Sequence, residues 1–423
     1  MLVTSKWTFY LTNIQPPYAL TEVQLNNKFI HEFFFIENIE NMFLTAELVI
    51  DDKNGFFETI VLTGKENIKV IVEQKLKDPT TTNSNADLEM LKKFEFDIWN
   101  ITIQSPSISE NIYRFYLVEK GVYDTFFGSH YSVGFNNKTI SEILQSVLTY
   151  QMKLTPDQYV LEPTADVLPN FTIPYLHPIE TIKWLVRKAR RSVSPHEGGY
   201  LFFSTTGNEN ASIPIKNFVS LSSLIVKNPT TTDFDIYSYR KQNANQYFIN
   251  TFKEVHNLDF AKQRIRVNGI GGHRYFGINY NQDKNIIDVK QTYSQFINKT
   301  NLMGNTAYLD NSIDDINDHI AFYGGELATV QARNDYSMKM LISGFNRREV
   351  IMEGALYRYA GKMIFVEQIS LNREEYHNKQ EYGYWLIKSI THYYSFGNYM
   401  QKVTLIKDSY AESDATKGKI INV

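Results

Sequence analysis

Residues 336–407 decide the fold. They run YSMKMLISGF (336–345), NRREVIMEGALYRYAGKMIFVEQIS (346–370), a polar loop, and GYWLIKSITHYYSFGNYMQKVTLIK (383–407). Apolar and polar residues alternate in several parts, the period of a half-buried sheet. Met338, Met340 and Ile342 fall on one face, Lys339, Leu341 and Ser343 on the other. In the last part Val403, Leu405 and the aliphatic stem of Lys407 share a face, opposite Thr404 and Ile406. The predicted strands are Tyr336–Phe345, Ile351–Leu356, Gly361–Ile369, Tyr384–Tyr394 and Tyr399–Lys407. Gly354 and Gly361 flank an Ala-Leu-Tyr-Arg-Tyr-Ala link, and Gly383 opens the strand that carries Ile390-Thr391-His392.

Outward from there, Trp7–Leu11, Glu32–Ile36, Met42–Ile50, Asn67–Glu73, Phe94–Gln104 and Ile112–Glu119 read as strands of an N-terminal β-domain. Leu76–Leu91 reads as a polar loop between two of them. A helix is predicted over Thr139–Met152, capped by Asn137 or Thr139, with Ile140, Ile143, Leu144, Val147 and Leu148 as its apolar stripe. A second helix starts at Pro178, where the missing N–H does no harm, and runs to Arg191. Leu161–Asn170 is rich in turn formers. Phe234–Tyr239, Tyr247–His256 and Arg264–Gly269 look extended, and pairing with the C-terminal strands is expected. A third helix is expected over Ile313–Arg333, broken or kinked at Gly324 and Gly325.

The fold class is therefore α+β, β-rich and multidomain: two small β-barrels with an α/β middle region. The expected units are residues 1–130 (first barrel), 131–232 (α/β, two helices), 233–269 plus 335–410 (second, discontinuous barrel), 270–334 (an inserted segment with a helix) and 411–423 (a tail). A chain of 423 residues has room for this many cores.

Composition narrows the chemistry. With Cys 0, disulfides, thiolate metal sites and cysteine nucleophiles are excluded. A net charge of −3 argues against a dedicated nucleic-acid binder, though not against a pore through which DNA slides without being gripped. The N-terminus shows no secretory signal, and no apolar run approaches the roughly 20 residues that cross a bilayer. No membrane insertion by this chain is expected. Tyr 28 and Phe 28 suit large interfaces, and equally an AT-rich genome coding for a β-rich protein.

Several groups carry potential chemistry. Asp314, Asp315, Asp318 and His319 place two ligand pairs at i and i+4, a weak candidate for a Mg²⁺ or Ca²⁺ site; acids in a first helical turn are equally favoured by the helix dipole. Gly269-Ile270-Gly271-Gly272-His273 lacks the Gly-Lys-Ser/Thr ending of a phosphate loop. Lys183, Arg187, Lys188, Arg190 and Arg191 suit a phosphate or an acidic partner, or simply the C-terminal end of a helix. Glu374, Glu375 and Glu381 form a carboxylate group in a polar loop. Five Asn-x-Ser/Thr sequons are expected by chance in so Asn-rich a chain. His392 reads as a sheet residue with one satisfied nitrogen. No catalytic or cofactor-binding residues are identified, no cofactor is implied, and the chain is not expected to be an enzyme.

The order of these signals resembles the central hub proteins of contractile-tailed phage baseplates, of the T-even and late-control-D-like kind. The likeness rests on Gly354, Gly361, Met363–Val366, Gly383-Tyr384-Trp385-Leu386-Ile387, Ile390-Thr391-His392 and Tyr399–Ile406. It rests also on Ile173-Pro174-Tyr175-Leu176-His177-Pro178-Ile179-Glu180, followed by the helix and Gly198-Gly199-Tyr200-Leu201-Phe202-Phe203. The resemblance implies a structural virion protein, assembled in the host cytoplasm, that forms a homotrimeric ring with pseudo-six-fold symmetry. Such a ring joins the six-fold tail tube to the three-fold spike and leaves a channel for the genome. Its implied partners are the tube or tube-initiator protein, the central spike, baseplate wedge proteins, the tape measure protein, and DNA in transit only. The alternative is a tail-associated peptidoglycan hydrolase with a hub-like fold. The short tail after the last predicted strand leaves no room for such a domain unless residues 270–330 hold it.

Overall fold

The computed structural model describes residues 4–15, 21–77, 87–107, 110–128, 130–193, 199–207, 211–225, 235–238, 247–248, 251–259, 273–278, 286–291, 344, 346–367 and 381–408. The N-terminal part contributes strands β1 (Thr4–Thr12), β2 (Glu22–Leu25), β3 (Ile30–Asn38), β4 (Thr45–Asp52), β5 (Asn67–Lys77), β6 (Asp87–Ser107) and β7 (Glu110–Glu119). They pair in the order β2-β1-β5-β6-β7-β4-β3, all antiparallel. Alternation sends Phe33 and Phe35 of β3, Leu48 and Ile50 of β4, Trp7 and Phe9 of β1 and Phe94 and Phe96 of β6 into one core. Each such side chain contributes roughly 1.5–3 kcal/mol on burial. The helices α1 (Phe56–Thr59) and α2 (Val122–Phe127) follow β4 and β7. Sequence periodicity missed both, because neither is long enough to show a period. β5 and β6 extend further into the expected polar loop than Leu76–Leu91 allowed.

The middle part holds β8 (Tyr131–Thr139), α3 (Ile140–Ser146), β9 (Tyr159–Leu161), β10 (Val167–Leu176), α4 (Pro178–Val186), β11 (Tyr200–Thr205), β12 (Ile215–Ser220) and α5 (Leu221–Leu224). Thr139, not Asn137, caps α3, in a reciprocal box with Glu142. The helix then widens into a π-turn over Val147–Gln151. Of the turn-rich stretch Leu161–Asn170, residues 162–166 lie between strands as expected, while Val167–Asn170 open β10, which pairs with β8. Ile143, Leu144, Ile182 and Leu185 pack on Tyr200, Phe202 and Phe218 of the three-stranded sheet β11-β12-β9.

The remaining strands are β13 (Asp235–Ser238), β14 (Tyr247–Phe248), β15 (Thr251–Leu258), β16 (His273–Ile278), β17 (Ile286–Gln291), β18 (Asn346–Glu353), β19 (Met363–Glu367), β20 (Gly383–Ser395) and β21 (Asn398–Lys407). β13 pairs with β19 and β15 with β18. The hairpin β16-β17 lies in a stretch whose Asn, Gly and Tyr content hid any period. The predicted strand Tyr336–Phe345, the strand Arg264–Gly269 and the helix Ile313–Arg333 lie outside the described residues, save Gly344.

β20 holds the two ends of the chain together. Its first half pairs with β19, and its second half, Ser389–Tyr394, pairs with Asn38–Phe33 of β3. β21 lies along its other edge from Leu386 to Ser395. One 14-stranded sheet therefore runs through both ends of the chain. The mostly β content with few helices is the β-rich α+β class expected from the sequence.

Gly354 sits where this construction is tightest. Its N–H donates to the Tyr399 carbonyl at 3.1 Å, and a Cβ there would overlap the Tyr399 ring. Gly64 also departs from ordinary geometry, at φ +84°, but a Cβ there meets nothing within 4 Å. Gly354→Ala is expected to lower the thermal midpoint sharply, by about 3 kcal/mol or more in stability. Gly64→Ala should cost only the roughly 1–2 kcal/mol of a left-handed backbone. Thermal melts of the two variants side by side check this.

Candidate functional site at the seam of the sheets

Behind the β3–β20 pairing lies a buried polar chain. Glu37 of β3 and His392 of β20 are both fully buried, with Oε1 and Nε2 2.9 Å apart. Nδ1 of His392 meets the Tyr399 hydroxyl at 2.7 Å. A neutral ring satisfies this geometry, with Nε2–H donating to the carboxylate and Nδ1 accepting from the hydroxyl. Gln401 donates to the Tyr399 hydroxyl at 3.0 Å and to the Ala355 carbonyl at 2.8 Å, and its Oε1 accepts from Arg358 at 2.8 Å. Burial pushes the Tyr399 hydroxyl well above its ordinary pKa, an effect that nearby Arg358 opposes. The His392 ring stacks on Phe35, centroids 4.0 Å apart and nearly parallel. Both ring nitrogens are thus partnered, where sequence reasoning expected one.

The Ala355–Ala360 link is the other half of this site. Gln74 of β5 donates to the Gly354 carbonyl at 3.0 Å and accepts from the Leu356 N–H at 2.7 Å. The Ala360 N–H donates to Glu37 Oε2 at 3.0 Å. Side chains therefore satisfy backbone groups 280 or more residues away in sequence, as burial demands. A Glu–His–Tyr array has the composition of an acid–base relay. Here none of Glu37, His392 and Tyr399 lines the two cavities beside α4, and the array clamps β3 to β20 and β21.

A second charged cluster caps the core formed by β18, β19, β20 and β21. Arg348 and Lys407 are almost wholly buried beside the apolar set Val350, Trp385, Val403 and Leu405. Lys407 donates to the Tyr382 carbonyl and lies over the Trp385 ring at 5.4 Å. Glu381 accepts from His256 at 3.2 Å, and the other His256 nitrogen faces Asn346 at 2.7 Å. The hydrogen bond to Glu381 is the main cause that raises the His256 pKa, and the same bond lowers that of Glu381. Glu381 thus serves this pair, while Glu374 and Glu375 lie outside the described residues.

Buried lysines tie the middle part to the N-terminal sheet. Lys216 of β12 pairs with Glu119 of β7 and lies over the Phe43 ring. Lys92 of β6 donates to the carbonyls of Thr206 at 2.9 Å and Ala211 at 2.6 Å, beyond β11.

The basic run divides. Arg190 pairs with Asp166 at 2.7 Å, Arg191 with Glu162 at 2.7 Å, and Lys188 lies over Trp184. Lys183 and Arg187 are exposed and make no ion pair among the described residues. Asp314, Asp315, Asp318 and His319 lie outside the described residues, as do Gly269 to Gly272. Among the described residues no three metal-type side chains come together, and no helix is long and apolar enough to cross a membrane. Sequence reasoning missed Glu37, Gln74, Lys92 and Lys216 as interior residues. The signal available was their place in alternation with buried neighbours.

No protein-family model and no curated protein matches the chain. Solved structures do. The 43 kDa tail protein of prophage MuSo2 from Shewanella oneidensis matches with a TM-score of 0.53 at 10% identity, over 95% of this chain and 97% of that one. A tail protein from Neisseria meningitidis MC58 matches with a TM-score of 0.54 at 8% identity, over 95% and 97%. The chain has the fold of these tail proteins.

Two outcomes test the polar clusters. His392→Phe keeps the ring stack but strips the partner from buried Glu37, and should cost about 3 kcal/mol in urea unfolding. Adding Glu37→Gln, which removes the stranded charge and keeps an acceptor for Ala360, should recover part of it. Burial pulls Lys407 down to about 7, with Arg348 acting in the same sense and Asp408 against it. An unfolded lysine titrates near 10.4. Between these values the unfolded chain holds a proton that the folded chain has shed, so stability rises with pH across that window. Lys407→Met should flatten the rise and be roughly 1–3 kcal/mol more stable at pH 7, measured by urea midpoints from pH 7 to 10. His256 acts in the opposite sense: its raised pKa contributes stability below about pH 6.5, lost as pH rises through its folded value.

Proposed function

We propose that this chain is a structural subunit of a phage-type tail baseplate, and within it the hub. The observation that carries this reading is the end-to-end likeness to two tail proteins, over 95% of this chain and 97% of each of theirs. Three copies form a ring in which residues 1–130 and the discontinuous unit 233–269 plus 335–410 take six similar positions. The ring joins a six-fold tube to a three-fold spike, with the genome passing through its channel. Tube or tube-initiator, spike, wedge and tape measure proteins are its partners. The α/β unit 131–232 lies outside the ring of repeated units.

The joined sheet supports this reading. Two repeated units that share β20 hold a fixed relative orientation, which a symmetry adaptor needs. β2 and β15 each pair on one side only among the described residues, and ring formation gives such edges something to pair with. No step of this reading calls for catalysis.

The purified chain is expected to sediment as a trimer at micromolar concentration, and class averages down its axis should display six similar lobes around a hole. A stable monomer, or a closed particle with no axial opening, would overturn the hub reading.

A further inference from the structure

A groove runs between α4 and the outer face of the N-terminal sheet. It consists of two adjoining cavities of about 650 and 490 Å³, which share Glu40, Met42 and Lys183 in their walls. The larger is walled by aromatic rings that remain open to solvent: Trp99 is 51% exposed, Phe126 48% and Tyr116 36%. The smaller adds Arg187, at the C-cap of α4 four residues on from Lys183. Open rings of this size collected on one face mark an interaction surface.

The charges in the walls are unbalanced. Glu40 is held by Lys388 at 2.6 Å, and Glu47 is held by Arg114. Lys183 and Arg187 have no carboxylate partner among the described residues, whereas Arg190 and Arg191, just beyond, are both paired. The groove therefore offers rings along one stretch and two uncompensated cations at the other. We propose that it docks an acidic peptide segment of another protein, whose apolar side chains enter between Trp99, Tyr116 and Phe126 and whose carboxylates meet Lys183 and Arg187. Single-stranded nucleic acid also pairs rings with cations, but it carries a phosphate at every nucleotide. Two cations beside two carboxylates do not match that spacing of charge. The proposal does not depend on the hub reading, since a ring can form with the groove empty.

The test uses the full chain and a fluorescein-labelled probe of about 12 residues that alternates Leu and Phe with Asp and Glu. A control probe carries Lys at each acidic position, and a third is an oligothymidylate. By fluorescence anisotropy the acidic probe should bind at least about tenfold more tightly than the Lys probe, a difference of about 1.4 kcal/mol, and weaken with added salt. Lys183→Glu with Arg187→Glu should abolish that preference while leaving the thermal midpoint in place, because neither side chain is buried. Trp99→Ala should weaken the acidic probe and keep the preference. Equal binding of both peptides, no binding, or tighter binding of the oligothymidylate overturns the proposal. So does loss of the oligomer in the charge-reversed variant, which would make a second copy of the chain the occupant.

Discussion

A strand has two edges, and the structure turns on how β20 uses its own. β21 takes one edge from Leu386 to Ser395. The other passes from β19 to β3 at the irregularity beside Lys388. At the point of exchange the Ile387 carbonyl accepts from Gly361 at 2.8 Å and the Lys388 carbonyl from Ile39 at 3.1 Å. No backbone acceptor is stranded there, so the two ends of the chain join without the cost of an unpaired buried carbonyl. A slip of one residue between β3 and β20 would turn Phe33, Phe35 and Glu37 outward together. The register is therefore held by hydrophobic burial and by the polar clamp at once.

The clamp also explains why the interior tolerates so many charges. Glu37, Arg358, Lys92, Lys216, Arg348 and Lys407 are buried, and an unpaired buried charge costs several kcal/mol. Each of the first four meets an oxygen or a donor from a distant part of the chain. Apolar residues would pack there with equal or better stability. They would not distinguish one docking geometry from another a few ångströms away. Lys92 beneath the Thr206 and Ala211 carbonyls, and Lys216 against Glu119, fix the middle part on the N-terminal sheet in the same way. Burial lowers the Lys216 pKa, while Glu119 works to hold its proton.

Most strands were legible because their period is local. Alternation in 43–50 sets Leu44, Ala46, Leu48 and Ile50 on one face, without saying which face is inward, and all four lie in the core. Pro178 marked the first residue of α4, and Thr139 was one of two caps proposed for α3. What failed to show was non-local. β8 and β10 carry mostly exposed or half-exposed side chains, so neither presents an apolar period, and they are strands because they have each other. His392 gave no hint of a second partner, since Glu37 and Tyr399 approach it from opposite sides, one of them 355 residues away. The basic run could not be divided into paired and unpaired members without Asp166 and Glu162, which come from the segment leading into β10.

The same reasoning accounts for a fold held at 8–10% identity to its neighbours. What this architecture requires is alternation, a few turns and a shared strand, and many residue types satisfy these. Gly354 is a sharper requirement, because the Tyr399 ring occupies the space a side chain would take. The polar clamp is a further requirement of a looser kind, since its buried donors and acceptors need only satisfy one another. Surfaces are freer still. Whatever distinguishes this protein from others of its fold must therefore lie where identity is unconstrained by the sheet, on its outer faces and edges. The open rings and unpaired cations beside α4 are the part of that surface whose composition the fold itself does not explain.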